Sequence, residues 1–197
     1  PHPGEVTLRI YSESLSVRNL LQKKAFRGLK DFIYASREIS LAETVGKLLT
    51  AKKMKLGIAE SCTGGQLYAE FTGHAGASQY FQGGVIVYDN RLKLKLGIPK
   101  KLLRDQGAVS APVAKKLARE AARFTQSDWG IGVTGVAGPS GGTRSKPIGT
   151  VHIAVSGPRN YQYVEAFGFW GTRDQIQKRA VTKALELLWR ALRKKAP

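Results

Sequence analysis

The stretch AESCTGGQLYAEF, residues 59–71, sets Ser61, Cys62 and Thr63 directly before Gly64 and Gly65. It leaves a short apolar run and enters a helical pattern. The first N–H groups of a helix have no intrahelical acceptor, and the helix dipole favours negative charge beside them. Two chemistries fit such a turn. Its N–H groups could hold a phosphate, or they could shelter the oxyanion of a tetrahedral intermediate while Ser61 attacks a carbonyl. A tight strand-to-helix bend with a hydroxyl cap is the plainer alternative. The stretch lacks the lysine of a Walker A loop and the G-x-S-x-G order of a hydrolase elbow. Cys62 is a rival nucleophile, although a lone small thiol beside a buried strand more often packs than reacts.

A serine nucleophile needs a group that takes its proton. The histidines serve poorly: His2 is terminal, His74 lies in a loop and His152 sits within a strand. In VYDNRLK, residues 87–93, an apolar strand ends at Tyr88 and Lys93 opens a short helix. A desolvated lysine loses its proton more readily and can act as base, with Tyr88 as relay; the alternative is one more surface lysine. TGVAGPSGG, residues 134–142, brings Gly135, Ala137 and Gly138 into a glycine-rich loop where backbone can approach a phosphate or ribose closely. A mobile surface loop is the competing reading. Arg173 stands in the first turn of the last helix, where acids are preferred, and so hints at a bound anion.

These residues need a scaffold. Leu56, Ile58 and Ala59 read as a buried strand, GGVIVY (83–88) and WGIGVTG (129–135) as two more, and TVHIAV (150–155) with YQYVEAFGF (161–169) as an antiparallel hairpin. Capping-box patterns open helices at Ser40 (SLAE) and Thr172 (TRDQ), and a third helix follows Ser110 with Val113, Leu117, Ala121 and Phe124 inward. A further helix over about 65–72 follows the Ser61–Gly65 turn. Helices alternating with strands predict an α/β fold, a three-layer α/β/α sandwich with a mixed sheet. Ahead of it, EVTLRIY (5–11) alternates like a strand and residues 16–33 carry a helical apolar stripe. Residues 1–39 are therefore read as a small α+β fragment and residues 40–197 as the main domain.

The 197 residues carry 32 Lys and Arg against 14 Asp and Glu, a net charge of +18. Such a field attracts nucleic acid, anionic membranes or phosphorylated small molecules without choosing among them. The excess is spread over helical surfaces, without a zinc-finger, helix-turn-helix or RNP pattern. One cysteine excludes an internal disulfide and suits a reducing compartment. No apolar run reaches the roughly 20 residues of a membrane span, and no signal peptide is visible at Pro1. The expectation is a cytoplasmic protein.

In order along the chain stand AESCTGG (59–65), GASQYFQGGVIVYDNRLK (76–93), GAVS (107–110), TGVAGPSGG (134–142), KPIGTV (146–151) and GTRDQIQKRAVTKALELLW (171–189). This set resembles the CinA C-terminal domain and the stand-alone nicotinamide-nucleotide amidase (PncC) family, from about Leu41 to the final helix. The resemblance implies hydrolysis of the carboxamide of nicotinamide mononucleotide, giving nicotinic acid mononucleotide and ammonia, without metal or other cofactor. It implies Ser61 as nucleophile, Tyr88 and Lys93 as its proton-handling partners, and Thr63, Gly64 and Gly65 as the turn that shapes the site. It also implies a homodimer. Asp89 stands where the family usually has a small hydroxyl residue. Residues 1–39 resemble the tail of the KH-like middle domain of CinA but carry no GXXG loop, so RNA binding by that route lacks its main feature. On this reading the chain is a cut-down CinA without the N-terminal pyrophosphatase domain. The alternatives are a nucleic-acid-binding competence or DNA-damage accessory protein, and a family member that binds a nucleotide without turning it over.

Overall fold

The computed structural model describes residues 4–193; His2 lies outside them. Five strands form one sheet: β1 (Leu56–Glu60), β2 (Phe81–Ile86), β3 (Trp129–Gly135), β4 (Thr150–Gly157) and β5 (Tyr161–Gly168), in the order β2-β1-β3-β4-β5. β1 runs parallel to β2 and β3, while β4 and β5 complete the sheet antiparallel. Among the described residues seven α-helices accompany them: α1 (Leu15–Leu29), α2 (Leu41–Ala51), α3 (Gln66–Thr72), α4 (Asn90–Leu96), α5 (Lys100–Gln106), α6 (Ala111–Thr125) and α7 (Arg173–Arg193). On one face α2, α3 and α7 pack together, burying Leu49, Phe71, Ile176 and Leu188 against Ile58, Ile131 and Ile153. On the other, α6 lies along the sheet with α4 and α5 beside it, around Val113, Leu117 and Ile98. The α/β/α sandwich with a mixed sheet is thus the observed fold.

Glycines set the approach of α6. A methyl group on Gly130 would stand 1.9 Å from the Ala118 carbonyl oxygen, and one on Gly132 would stand 2.4 Å from that of Ala114. Backbone therefore lies directly on backbone, with Ala114, Ala118 and Ala121 all fully buried in the seam. The cap at Thr172 forms in both directions, with Gln175 N–H on Thr172 Oγ1 at 3.4 Å and Thr172 N–H on Gln175 Oε1 at 3.0 Å. At Ser40 only half of the box forms: the Glu43 N–H donates to Ser40 Oγ, and the Glu43 carboxylate pairs with Lys47 instead of reaching back.

Three expectations are corrected. Residues 5–11 are not a strand, because no neighbouring strand offers them a hydrogen-bonding ladder; Val6, Leu8 and Tyr11 are exposed. The helix expected over 16–33 ends at Leu29 and buries none of its residues. Phe124, expected inward on α6, is 60 % exposed. In that last turn it is the neighbouring Thr125 that faces the sheet, its hydroxyl lying against Gly57 of β1. Among the described residues no helix is long and apolar enough to cross a membrane.

Candidate active site

Because β2, β1 and β3 are parallel, their C-terminal ends emerge along one edge of the sheet. That edge is where open α/β sheets bind ligands, at the point where successive connections leave in opposite directions. Ser61 follows β1, Val87 and Tyr88 follow β2, and Gly135 ends β3, so the fold gathers three of the sequence motifs without any long loop.

Ser61 Oγ accepts a hydrogen bond from Lys93 Nζ at 3.2 Å. Lys93 is 2 % exposed, and its ammonium also donates to the carbonyls of Val87 at 2.7 Å and Tyr88 at 3.1 Å. Burial lowers its pKa from the ordinary lysine value, with Asp89 and the Cys62 thiol pulling weakly the other way. Lys93 lies one turn into α4 rather than at its start, and Asp89 caps that helix by accepting the Arg91 N–H at 2.7 Å. The side-chain and backbone bonds from Arg91 hold the Asp89 carboxyl below its usual range. An N-cap position accepts Asp as readily as Ser or Thr, so this departure from the family pattern preserves the local geometry that carries Lys93.

Tyr88 divides between two roles. Its carbonyl holds Lys93, but its phenol is largely exposed and accepts from Arg173 at 3.2 Å rather than meeting Ser61 or Lys93. Arg173 also donates to the Gly138 carbonyl at 2.7 Å, joining the Tyr88 strand end to the glycine-rich loop. Ala137 is buried in that loop, Gly138 takes φ +77°, and the loop borders a concavity of about 520 Å³ with Pro139, Arg144 and Ile148. Gly135 has no room for a side chain, since a methyl group would meet Val151 at 2.7 Å.

The turn itself is held tightly. Gly64 donates to the Ser61 carbonyl and Gln66 to that of Thr63, at 3.2 and 3.1 Å. Gly64 and Gly65 have φ of +62° and +99°, a region costly for other residues. Thr63 is fully buried with no partner for its hydroxyl. Burial, with the Glu60 charge adding to it, pushes the Cys62 thiol up to about 12, which disfavours the thiolate at neutral pH. The two described histidines stay apart from Ser61: His74 bonds Ser40 Oγ at 3.0 Å, and His152 lies in β4 opposite Thr134. Among the described residues no group of three or more His, Cys, Asp and Glu could hold a metal ion.

Two residues near the turn escape a reading of motifs. Gln177, one turn beyond Arg173 on α7, donates to the Cys62 carbonyl at 2.6 Å and accepts from Gln66 at 3.0 Å. Glu60 is fully buried and accepts the N–H groups of Leu67 and Tyr68. Gln177 carried no sequence signal; Glu60 did, as a charged residue closing an otherwise apolar strand.

A three-layer α/β domain with a serine and a buried lysine at the ends of its parallel strands defines the class. The profile of the CinA C-terminal domain matches residues 38–192, and the chain belongs to that family. A CinA-like protein of Prochlorococcus marinus is 41 % identical over 193 residues, covering 94 % of this chain and 46 % of its own length. A CinA-like protein of Anaeromyxobacter sp. is 44 % identical over 171 residues, covering 86 % of this chain and 42 % of its own. The chain thus spans about half the length of the curated relatives it matches. Among solved structures, the competence damage-inducible protein A of Klebsiella pneumoniae superposes with a TM-score of 0.76 at 29 % identity, over 79 % of this chain and 97 % of that one. The competence/damage inducible protein of Agrobacterium tumefaciens gives 0.73 at 30 % identity, over 81 % and 100 %.

Proposed function

We propose that this chain is an amidohydrolase that cleaves the carboxamide of nicotinamide mononucleotide through Ser61. The observation that carries this reading is the bond between Ser61 Oγ and the buried Lys93 ammonium at 3.2 Å. Deprotonated, Lys93 has two N–H bonds and one lone pair. The carbonyls of Val87 and Tyr88 engage the two N–H bonds, which directs the lone pair at Ser61. Lys93 then takes the hydroxyl proton as Oγ attacks the amide carbon. The oxyanion is met by N–H groups of the 61–65 turn, and Lys93 returns the proton to the departing nitrogen, releasing ammonia. Water, activated by the same amine, hydrolyses the ester on Ser61 to give nicotinic acid mononucleotide. No step calls for a metal or cofactor. On this reading Arg173, which bonds the Tyr88 hydroxyl and the Gly138 carbonyl, meets the nucleotide's phosphate or ribose.

Ammonia release from nicotinamide mononucleotide by the purified chain is the test. Ser61→Ala lowers kcat/KM by about 10³-fold or more, and Lys93→Ala by about 10²–10⁴-fold, the range of a general base. Equal rates in wild type and Ser61→Ala remove Ser61 from the reaction. Thermal stabilisation by the nucleotide with no ammonia formed would instead favour a binding protein without turnover.

A further inference from the structure

Glu60 ends a strand whose other residues are Leu56, Gly57, Ile58 and Ala59, and it is completely buried. A buried carboxylate is expensive unless it is well hydrogen-bonded, and an aliphatic side chain would fill the same space without that cost. Nothing in the amide-cleaving reaction uses it. Its two oxygens accept the N–H groups of Leu67 at 3.3 Å and Tyr68 at 3.1 Å. Both donors belong to the first turn of α3, where N–H groups have no intrahelical acceptor. The five residues from Ser61 to Gly65 lie between the two ends of this clamp, and Gln177 braces the same turn from α7.

We propose that Glu60 is a positioning residue for the Ser61 reaction, tying the start of α3 to the end of β1 and so fixing the turn between them. With that tie in place, Ser61 Oγ sits on Lys93, and the N–H group of the partly exposed Gly65, which meets no acceptor among the described residues, is free for the substrate's carbonyl oxygen. This inference rests on the amidohydrolase reading above.

Glu60→Gln keeps the shape but turns an amide donor toward one of the two N–H groups. Glu60→Asp keeps the charge but is one methylene too short to reach both. Each is measured for ammonia release, for thermal unfolding, and for the rate at which an aryl fluorophosphonate labels Ser61, located by mass spectrometry. The label reports the nucleophile and its turn without needing nicotinamide mononucleotide. A misplacement of about 1 Å costs on the order of 10²-fold in rate. Glu60→Gln is expected to lose about that factor in kcat and in labelling rate, with KM within roughly threefold, and Glu60→Asp to lose about 10-fold. Folded variants with unchanged kcat and labelling overturn the proposal, as does a loss confined to KM. Variants that fail to fold assign Glu60 to the fold rather than to the reaction and overturn it equally. A wild-type chain that the reagent does not label at Ser61 removes the serine reading itself, and the inference with it.

Discussion

At the scale of single residues, Lys93 is where environment changes chemistry. Its pKa falls because burial penalises the ammonium, and the proposed reaction needs the neutral amine. The sign follows: kcat/KM rises about tenfold per pH unit while Lys93 is mostly charged and levels above its pKa, which lies below the ordinary lysine value. A pH profile in which kcat/KM falls through this region contradicts a base at Lys93. Lys93→Arg keeps a permanent charge and abolishes the rising limb together with nearly all activity. Ser61, Lys93 and the two glycines were legible from their motif. The position of the Tyr88 phenol was not, because a residue's place along the chain does not tell which way its ring turns once Arg173 offers a donor.

Elements position these groups, and α6 shows how little tolerance they have. It rests on Gly130 and Gly132 at distances only a hydrogen atom allows. Gly130→Ala must push α6 off the sheet, and overpacking of this kind costs about 1–3 kcal/mol or more. Chemical denaturation should show the midpoint falling by the matching amount, with no change in slope; a midpoint equal to wild type refutes the close seam. The strands with clear apolar runs and both capped helices, α2 and α7, could be read from sequence. Residues 5–11 could not, because alternation describes a strand but cannot supply its neighbour. α5 went unseen, since seven residues starting with Lys100 and Lys101 and burying none of their side chains leave no pattern.

The whole molecule adds charge and reach. With +18 overall, the chain attracts polyanions, and its affinity for mixed-sequence DNA is expected to fall steeply with salt and to show no sequence preference. Gel shifts that persist undiminished at 200 mM salt, roughly where such contacts weaken by orders of magnitude, would instead favour a dedicated nucleic-acid role. The charge total was plain in the composition; its sorting into local ion pairs such as Lys116–Glu120 was not. α1 buries none of its residues, so deleting residues 4–29 is expected to move Tm by less than about 3 °C, the shift of a sub-kcal change in a domain this size. A larger drop in calorimetry would give α1 a part in holding the core. α7 runs 21 residues from Arg173 at the site to Arg193, whose guanidinium grips the Lys30 carbonyl. At 1.5 Å per residue that is a rod of about 30 Å, with Gly4 resting beside Thr182 partway along it. A resin bead or a dye coupled ahead of Gly4 is therefore anchored from a point beside Thr182, roughly 14 Å along this rod from Arg173.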